Sequence, residues 1–274
     1  GQDIAAKLWV GDYQNGESFQ DLAQAAGGIR RLAVLRADID DLGQAFVSGF
    51  ESDKHGQKYV TLSRTATFSR KLALFFKLHV NTLLQEGRYS IRLDEETGER
   101  RAAIVYSGGD DMFIIGAWDD IIGFAVDLND SLGDYAQGTL TISAGIGIYP
   151  EKYPVAAMAR QTGELEDASK AYPGKNAVTL FDESGTYSWD EFINDVLSEK
   201  YELIRDFFQT MQDYGKSFLY RLLELMRNRG EKINLARYAY LLAKMEPGEK
   251  APTENKKLYQ EFSRKMYQWM LDDE

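Results

Sequence analysis

At 274 residues with 44% hydrophobic and 12% aromatic content, the chain can bury a sizeable core and is expected to hold two domains. With no cysteine and two histidines it offers neither a disulfide framework nor a thiolate or histidine-rich zinc site, so any metal must be held by carboxylates. A net charge of −11 repels phosphodiester backbones, whose affinity for proteins comes mainly from lysine and arginine, and disfavours autonomous binding of nucleic acid.

Residues 1–29, with Gly11, Gly16 and Gly27-Gly28, read as a leading segment belonging to something upstream. Residues 31–37 are an aliphatic run suited to a buried strand, and it stops at Asp38-Ile39-Asp40-Asp41. From Leu42 to about Gln85 apolar residues recur at three and four, most clearly Phe68, Leu72, Phe75, Phe76, His79, Val80 and Leu83, with a loop over 51–56. Residues 102–106 and 112–115 flank Ser107-Gly108-Gly109-Asp110-Asp111 as the two strands of a hairpin with a glycine turn. A helix over 119–135, a strand over 139–148, a helix over 154–171 and a strand over 176–181 follow. The order βαββαβ with an added αβ is that of a ferredoxin-like palm, in which the first strand lies antiparallel beside the third. Asp38, at the end of the first strand, and Asp110 and Asp111, at the start of the third, therefore meet at one sheet edge.

Beyond the palm, assigned to 30–186, residues 187–274 show amphipathic helical segments over 189–213, 215–228, 234–245 and 256–271, broken at Gly215, Gly230 and Glu246-Pro-Gly-Glu. The fold class is α+β, a palm followed by an all-helical domain. This tail holds 16 acids and 14 bases, a net −2 that leaves −9 of the total −11 on the first domain, where a binder of divalent cations wants it. The longest apolar runs fall short of the roughly 20 residues that cross a bilayer, and no basic, apolar leader opens the chain. A soluble, cytoplasmic setting is expected.

Magnesium takes oxygen ligands and is held by one or two carboxylates together with substrate phosphates. Asp38, Asp110 and Asp111 suit a two-metal Mg2+ or Mn2+ site, in which one ion activates an attacking hydroxyl and the other neutralises departing pyrophosphate. Gly108 and Gly109 let the turn take positive φ and a nucleotide approach the backbone. Asp41, Leu42 and Gly43 present backbone amides at a helix start, a place for a triphosphate. A Gly-Gly-Asp-Asp turn also occurs as plain structure, but adjacent aspartates before a buried strand repel, from which a simple turn gains nothing. Asp40 is expected to cap the following helix. Ser143, Gly145 and Gly147 either shape a base pocket or allow close helix packing. Lys175 reaches a phosphate or stays solvated, and His55 and His79 are assigned to surface or core.

Arg36-Ala-Asp-Ile-Asp-Asp-Leu-Gly43, Tyr106-Ser-Gly-Gly-Asp-Asp-Met112, Ser143-Ala-Gly-Ile, Lys175-Asn-Ala-Val-Thr-Leu-Phe181 and Leu8-Trp-Val-Gly-Asp-Tyr13 resemble the large subunit of type III-A CRISPR-Cas complexes, over essentially the whole chain. The resemblance implies the second of two palm domains, which converts ATP into 3′–5′ cyclic oligoadenylates once target RNA pairs with guide RNA. It gives Asp38, Asp110 and Asp111 the catalytic and metal roles, with Ile39 in the metal and nucleotide set. It implies other subunits of the complex as partners, small helical subunits at the tail among them, and guide and target RNA through the complex. No His-Asp pair marks the family's nuclease domain, so a C-terminal part of a longer subunit is expected, binding ATP but forming little product alone. Tyr238, Tyr240, Tyr259 and Trp269 suit a partner surface or a core. The competing readings are a diguanylate cyclase, which has Gly-Gly-Asp-Glu-Phe and an asparagine where this chain has Met112 in its turn and Phe46 in its first helix, and a silent palm kept as scaffold.

Overall fold

A computed structural model describes residues 11–51, 56–92, 98–211 and 215–272; His55 and Leu8-Trp9-Val10 of the quoted motif lie outside them. The chain divides into two compact units between Ile193 and Asn194.

In the first unit α1 (Phe19–Gln24) precedes β1 (Leu32–Ile39). Then come α2 (Leu42–Ser48), α3 (Leu62–Leu74), a π-helical stretch (Phe75–His79) and α4 (Val80–Gln85). β2 (Ala102–Gly108) and β3 (Asp111–Ala117) form the hairpin, followed by α5 (Trp118–Tyr135), β4 (Ile142–Tyr149), α6 (Val155–Ala171), β5 (Ala177–Leu180) and the short β6 (Thr186–Ser188). The six strands run β2-β3-β1-β4-β5-β6. β1 is antiparallel to both β3 and β4, the expected palm arrangement. β4 pairs with β5 in parallel, as a strand–helix–strand unit through α6 requires.

Leu32, Ala33, Val34 and Leu35 are all fully buried, because β1 is central and covered on both faces. Alternation sorts them. Leu32 and Val34 join Leu22 of α1 and Met158 of α6 in one cluster, while α5 packs on β1, β3 and β4 and against α4. Arg36 and Asp38 continue in phase with Leu32 and Val34, so the strand's two charged residues face α6. α6 itself lies close, because β4 offers no side chain at Gly145. A Cβ there would stand 2.4 Å from the amide nitrogen of Glu166 and 2.7 Å from the carbonyl oxygen of Thr162. Gly145→Ala is expected to push α6 off the sheet at a cost of about 1 to 3 kcal/mol, read as a melting temperature lower by roughly 5 °C. An unchanged melting temperature would show that the helix yields freely.

The described residues before β1, 11–31, pack on this unit. Tyr13 and Leu22 are buried, the Ile104 amide donates to the Tyr13 carbonyl, the Asn15 amide donates to the Ala102 carbonyl, and Gln14 bridges to Ala103. The far end of this segment is held by Asp119, which accepts the Gly27 amide at 2.8 Å. Asp119 belongs to a buried charge network at the start of α5. Arg92 contacts Asp119 and Asp120 at 3.0 and 2.6 Å. Arg100 pairs with Asp127, both nearly inaccessible, and also donates to the carbonyls of Asp120 and Tyr89.

α7 (Trp189–Glu191) closes the first unit, a π-helical segment (Phe192–Tyr201) spans the division, and the second unit holds α8 (Glu202–Thr210), α9 (Lys216–Arg227), α10 (Lys232–Ala243) and α11 (Thr253–Leu271). Its core gathers Phe207, Leu222, Tyr238, Leu242 and Phe262, with the rings of Phe207 and Phe262 stacked 3.8 Å apart. Tyr238 and Tyr259 belong to this core and donate to the carbonyls of Met266 and Leu242; Trp269 packs against it, and Tyr240 is exposed. Among the described residues no helix is long and apolar enough to cross a membrane.

Candidate active site

β1 and β3 are in register so that Asp38 and Asp111 are directly opposed, and the Ile39 amide donates to the Asp110 carbonyl at 3.1 Å. The strand order thus brings Asp38, Ile39, Asp110 and Asp111 to one edge. Gly109 takes φ +75°, which L side chains rarely adopt, and this turns the chain so that two carboxylates follow at once. The turn is fastened from behind. The Ser107 hydroxyl, buried, donates to the Phe76 carbonyl at 2.7 Å, and Phe76 lies in the π-helical stretch, where the regular i to i+4 ladder is broken. On the open side the Tyr106 hydroxyl donates to the Gly108 carbonyl at 3.0 Å. Its pKa is raised by its hydrogen bond with Asp111 and by that carboxylate's charge.

Crowding of like charge marks the edge. The Asp110 carboxyl is pushed up by burial, then by the charges of Asp38 and Asp111. One ammonium answers this. Lys170 of α6 stands 2.6 Å from Asp38 Oδ2 and 2.8 Å from Glu166 Oε1. Burial works against its charge, but the hydrogen bonds with Asp38 and Glu166 outweigh that and raise its pKa. Glu166, buried, is shared with Arg36 at 3.0 Å. Neither Lys170, Glu166 nor Arg36 was singled out from the sequence. The signals were there: Arg36 stands two residues before Asp38 on the same strand face, and Glu166 and Lys170 are four apart on one helix face.

Asp40 does not cap α2. That position is taken by Asp41, in the left-handed region at φ 50° and without a side-chain cap bond. The Asp40 carboxylate is buried instead, accepting from Thr141 Oγ1 at 2.8 Å, Ser143 Oγ at 2.7 Å and the Asn176 amide at 3.0 Å. It ties β1, β4 and the loop before β5 together, because three donors in a closed space satisfy a carboxylate better than an exposed helix end. Ser143, read from the sequence as either shaping a base pocket or allowing close helix packing, is fully enclosed and spends its hydroxyl on Asp40. Gly145 serves close helix packing. Lys175 pairs with Asp41, and it and Asn176 both hold positive φ, a costly local shape that the Asp40 contact supports. Leu42 and Gly43 begin α2 beside them.

Asp40, Asp41, Gln44, Ala45, Ser48, Phe50, Phe68, Thr139 and Leu140 line a cavity of about 520 Å3 next to this turn, backed by edge-on contacts of Phe46 and Phe50 with Phe68. A larger cavity, about 810 Å3, opens around Gly147, Tyr149, Tyr153 and Phe181 at the opposite end of β4, away from the carboxylates; the smaller one is lined by Asp40 and Asp41.

Among the described residues no three acidic or histidine side chains stand together as a preformed metal cluster. The donor set nonetheless suits magnesium, which needs only one or two carboxylates when phosphates and water complete its shell. Two adjacent carboxylates, Asp110 and Asp111, with Asp38 directly opposite Asp111, provide that.

A family model described as Cas10/Cmr2, second palm domain, matches residues 31–179. One described as the second helical domain of the CRISPR RNA silencing complex Cmr2 subunit matches residues 205–274. The CRISPR system single-strand-specific deoxyribonuclease Cas10/Csm1 (subtype III-A) of Mycobacterium tuberculosis is 46% identical over 273 residues, 99% of this chain and 33% of that protein. The chain spans about a third of the length of the curated relatives it matches. A crystal structure of a Csm1-Csm4 cassette in complex with AMPPNP superposes with a TM-score of 0.65 and 25% identity, covering 97% of this chain and 40% of that one. A Csm1-Csm4 cassette in complex with cA4 gives 0.66 and 25%, covering 96% and 40%.

Proposed function

The chain belongs to the Cas10 family of type III-A large subunits, as its second palm with the helical domain that follows, and from that premise we propose that it polymerises ATP into cyclic oligoadenylates within an RNA-guided effector complex. The observation that carries this reading is the register of β1 against β3, which sets Asp38 opposite Asp111 with Asp110 beside it at an open edge. Relatives of this fold hold AMPPNP and cA4, an ATP mimic and a product of the proposed kind.

Asp38, Asp110 and Asp111, with Ile39 through its backbone, would hold Mg2+ or Mn2+, which would supply an activated 3′-hydroxyl and charge neutralisation at the pyrophosphate. The remaining work belongs to the chain. Gly108 and Gly109 leave the turn bare for close approach of a nucleotide. Asp41, Leu42, Gly43 and Lys175 receive the triphosphate, and Asp40 with Ser143 keeps that loop in place. The cavity between α2 and Phe68 takes the adenine, with Phe46 behind it in place of a residue that reads guanine. A second nucleotide must be positioned against the first for bond formation, and the first palm of the longer subunit supplies that wall. A Csm4-type subunit and small helical subunits are the partners, the latter at the helical unit.

ATP with magnesium is expected to stabilise the purified chain by about 2.7 kcal/mol at a hundred times its Kd, a rise in melting temperature of roughly 5 °C or more. GTP should do less, and Asp110→Ala with Asp111→Ala should abolish the effect. A larger shift with GTP would turn the reading to a guanylate cyclase; no shift with either nucleotide would favour a scaffold palm.

A further inference from the structure

Four side chains on two elements form a continuous charge chain across the α6 face of β1. Arg36 contacts Glu166 at 3.0 Å, Glu166 contacts Lys170 at 2.8 Å, and Lys170 contacts Asp38 at 2.6 Å. The order matters, because its last member is a carboxylate of the proposed metal set, and one of that carboxylate's oxygens, Oδ2, is already satisfied by an ammonium.

We propose that Lys170 is a built-in counter-cation of the acidic edge, bound to Asp38 until nucleotide arrives, and that its release couples metal binding to triphosphate binding. The proposal rests on the metal-dependent reading above. An ammonium and a divalent cation on the same carboxylate repel strongly at such distances, so metal entering alone competes with Lys170 for Asp38 and no phosphate takes the ammonium over. A triphosphate changes that, since its oxygens offer the ammonium a new partner of the same charge as Asp38.

Glu166 makes the exchange local. It is buried, fixed on its second oxygen by Arg36, and four residues before Lys170 on α6, so Lys170 can leave Asp38 without losing its other bond. Gly145 holds this part of α6 against β4 by admitting the Glu166 backbone where a Cβ would stand, so the tether has a rigid base. The charge count agrees. Asp38, Asp110, Asp111 and Glu166 face two cations, Lys170 and Arg36. The edge has room for more positive charge, but one oxygen of Asp38 is already taken by Lys170.

Coupling of this kind is reciprocal, metal raising nucleotide affinity by the same factor as nucleotide raises metal affinity. The direct test is Mn2+ binding to the purified chain, followed by loss of the free Mn2+ paramagnetic resonance signal, with and without a non-hydrolysable ATP analogue. Wild type is expected to bind Mn2+ alone weakly and about tenfold more tightly with the analogue. Lys170→Met should bind Mn2+ alone about tenfold more tightly than wild type and gain less than about threefold from the analogue, while Lys170→Arg, which keeps the charge, should retain most of the coupling. Lys170→Gln serves if the methionine variant does not fold. Equal Mn2+ affinity in wild type and the neutral variants, with equal gain from the analogue, would overturn the proposal and leave the metal reading standing, with Lys170 reduced to a strut between α6 and β1. No Mn2+ binding by any of these proteins, with or without the analogue, would overturn both.

Discussion

Replacing Asp110 and Asp111 together by asparagine is expected to lower cyclic oligoadenylate formation by at least about a thousandfold, roughly 4 kcal/mol of transition-state stabilisation, when the full-length subunit is assembled with its partners and target RNA. The substitutions keep the shape of the turn, because Gly109 supplies its positive φ and Ser107 its anchor, and they remove the charge on which metal binding depends. Stability should move the other way. Asp110 has a raised pKa from burial and from Asp38 and Asp111. A carboxyl whose folded value lies above its unfolded value contributes stability in full below the unfolded value and loses it as pH rises through the folded one. At neutral pH the ligand-free fold therefore carries the repulsion, and the asparagine variant should melt no lower than wild type, its advantage shrinking as pH is lowered towards 4. Loss of product with an undiminished melting temperature assigns these residues to chemistry; loss of both would assign them to the fold.

The largest effect on folding is expected at the buried pair of Arg100 and Asp127. Removing one partner of such a pair costs about 3 to 5 kcal/mol, since it leaves a charge enclosed and uncompensated, and the melting temperature should fall by on the order of 10 °C. The two halves are not equivalent. Arg100→Ala leaves Asp127 with the amides of Arg88 and Tyr89, at 2.9 and 3.0 Å, so the carboxylate keeps two donors. Asp127→Ala orphans both amides and leaves Arg100 with the carbonyls of Asp120 and Tyr89. Asp127→Ala should be the worse of the two in thermal unfolding. The reverse order would mean that Arg100's carbonyl contacts, rather than the ion pair, hold the 87–92 loop to α5.

Much of the palm was legible in the sequence because its signals are local. The aliphatic run of β1, the glycine turn before Asp110 and the alternation of strands and helices are each readable within a dozen residues, and chain order then dictates that β1 lies beside β3. What the sequence hid is what depends on distant partners. Asp40 and Ser143 are 103 residues apart and Asp40 and Asn176 are 136 apart; nothing near Asp40 tells a buried three-donor carboxylate from a helix cap. Lys170 and Glu166 sat in a helix with an ordinary salt-bridge spacing, and only the approach of α6 at Gly145 turns that pair towards Asp38. β6, three residues long, is too short to carry a period. The segment before β1, rich in glycine, looked like linker because the buried ring of Tyr13 and the short helix α1 find their partners on β2, β3 and α6.

That segment bears on how the protein can be cut. Tyr13, Gln14 and Asn15 occupy the backbone groups of β2, which is the outermost strand on that side of the sheet, and Val105 and Tyr106 on that strand are already exposed. A piece trimmed to the first residue of β1 would present β2 as a bare, partly apolar rim open to another copy of itself, the arrangement from which sheet proteins begin to stack. A cut that keeps β2 covered therefore falls ahead of Tyr13, inside the Leu8–Tyr13 motif, rather than at the start of β1.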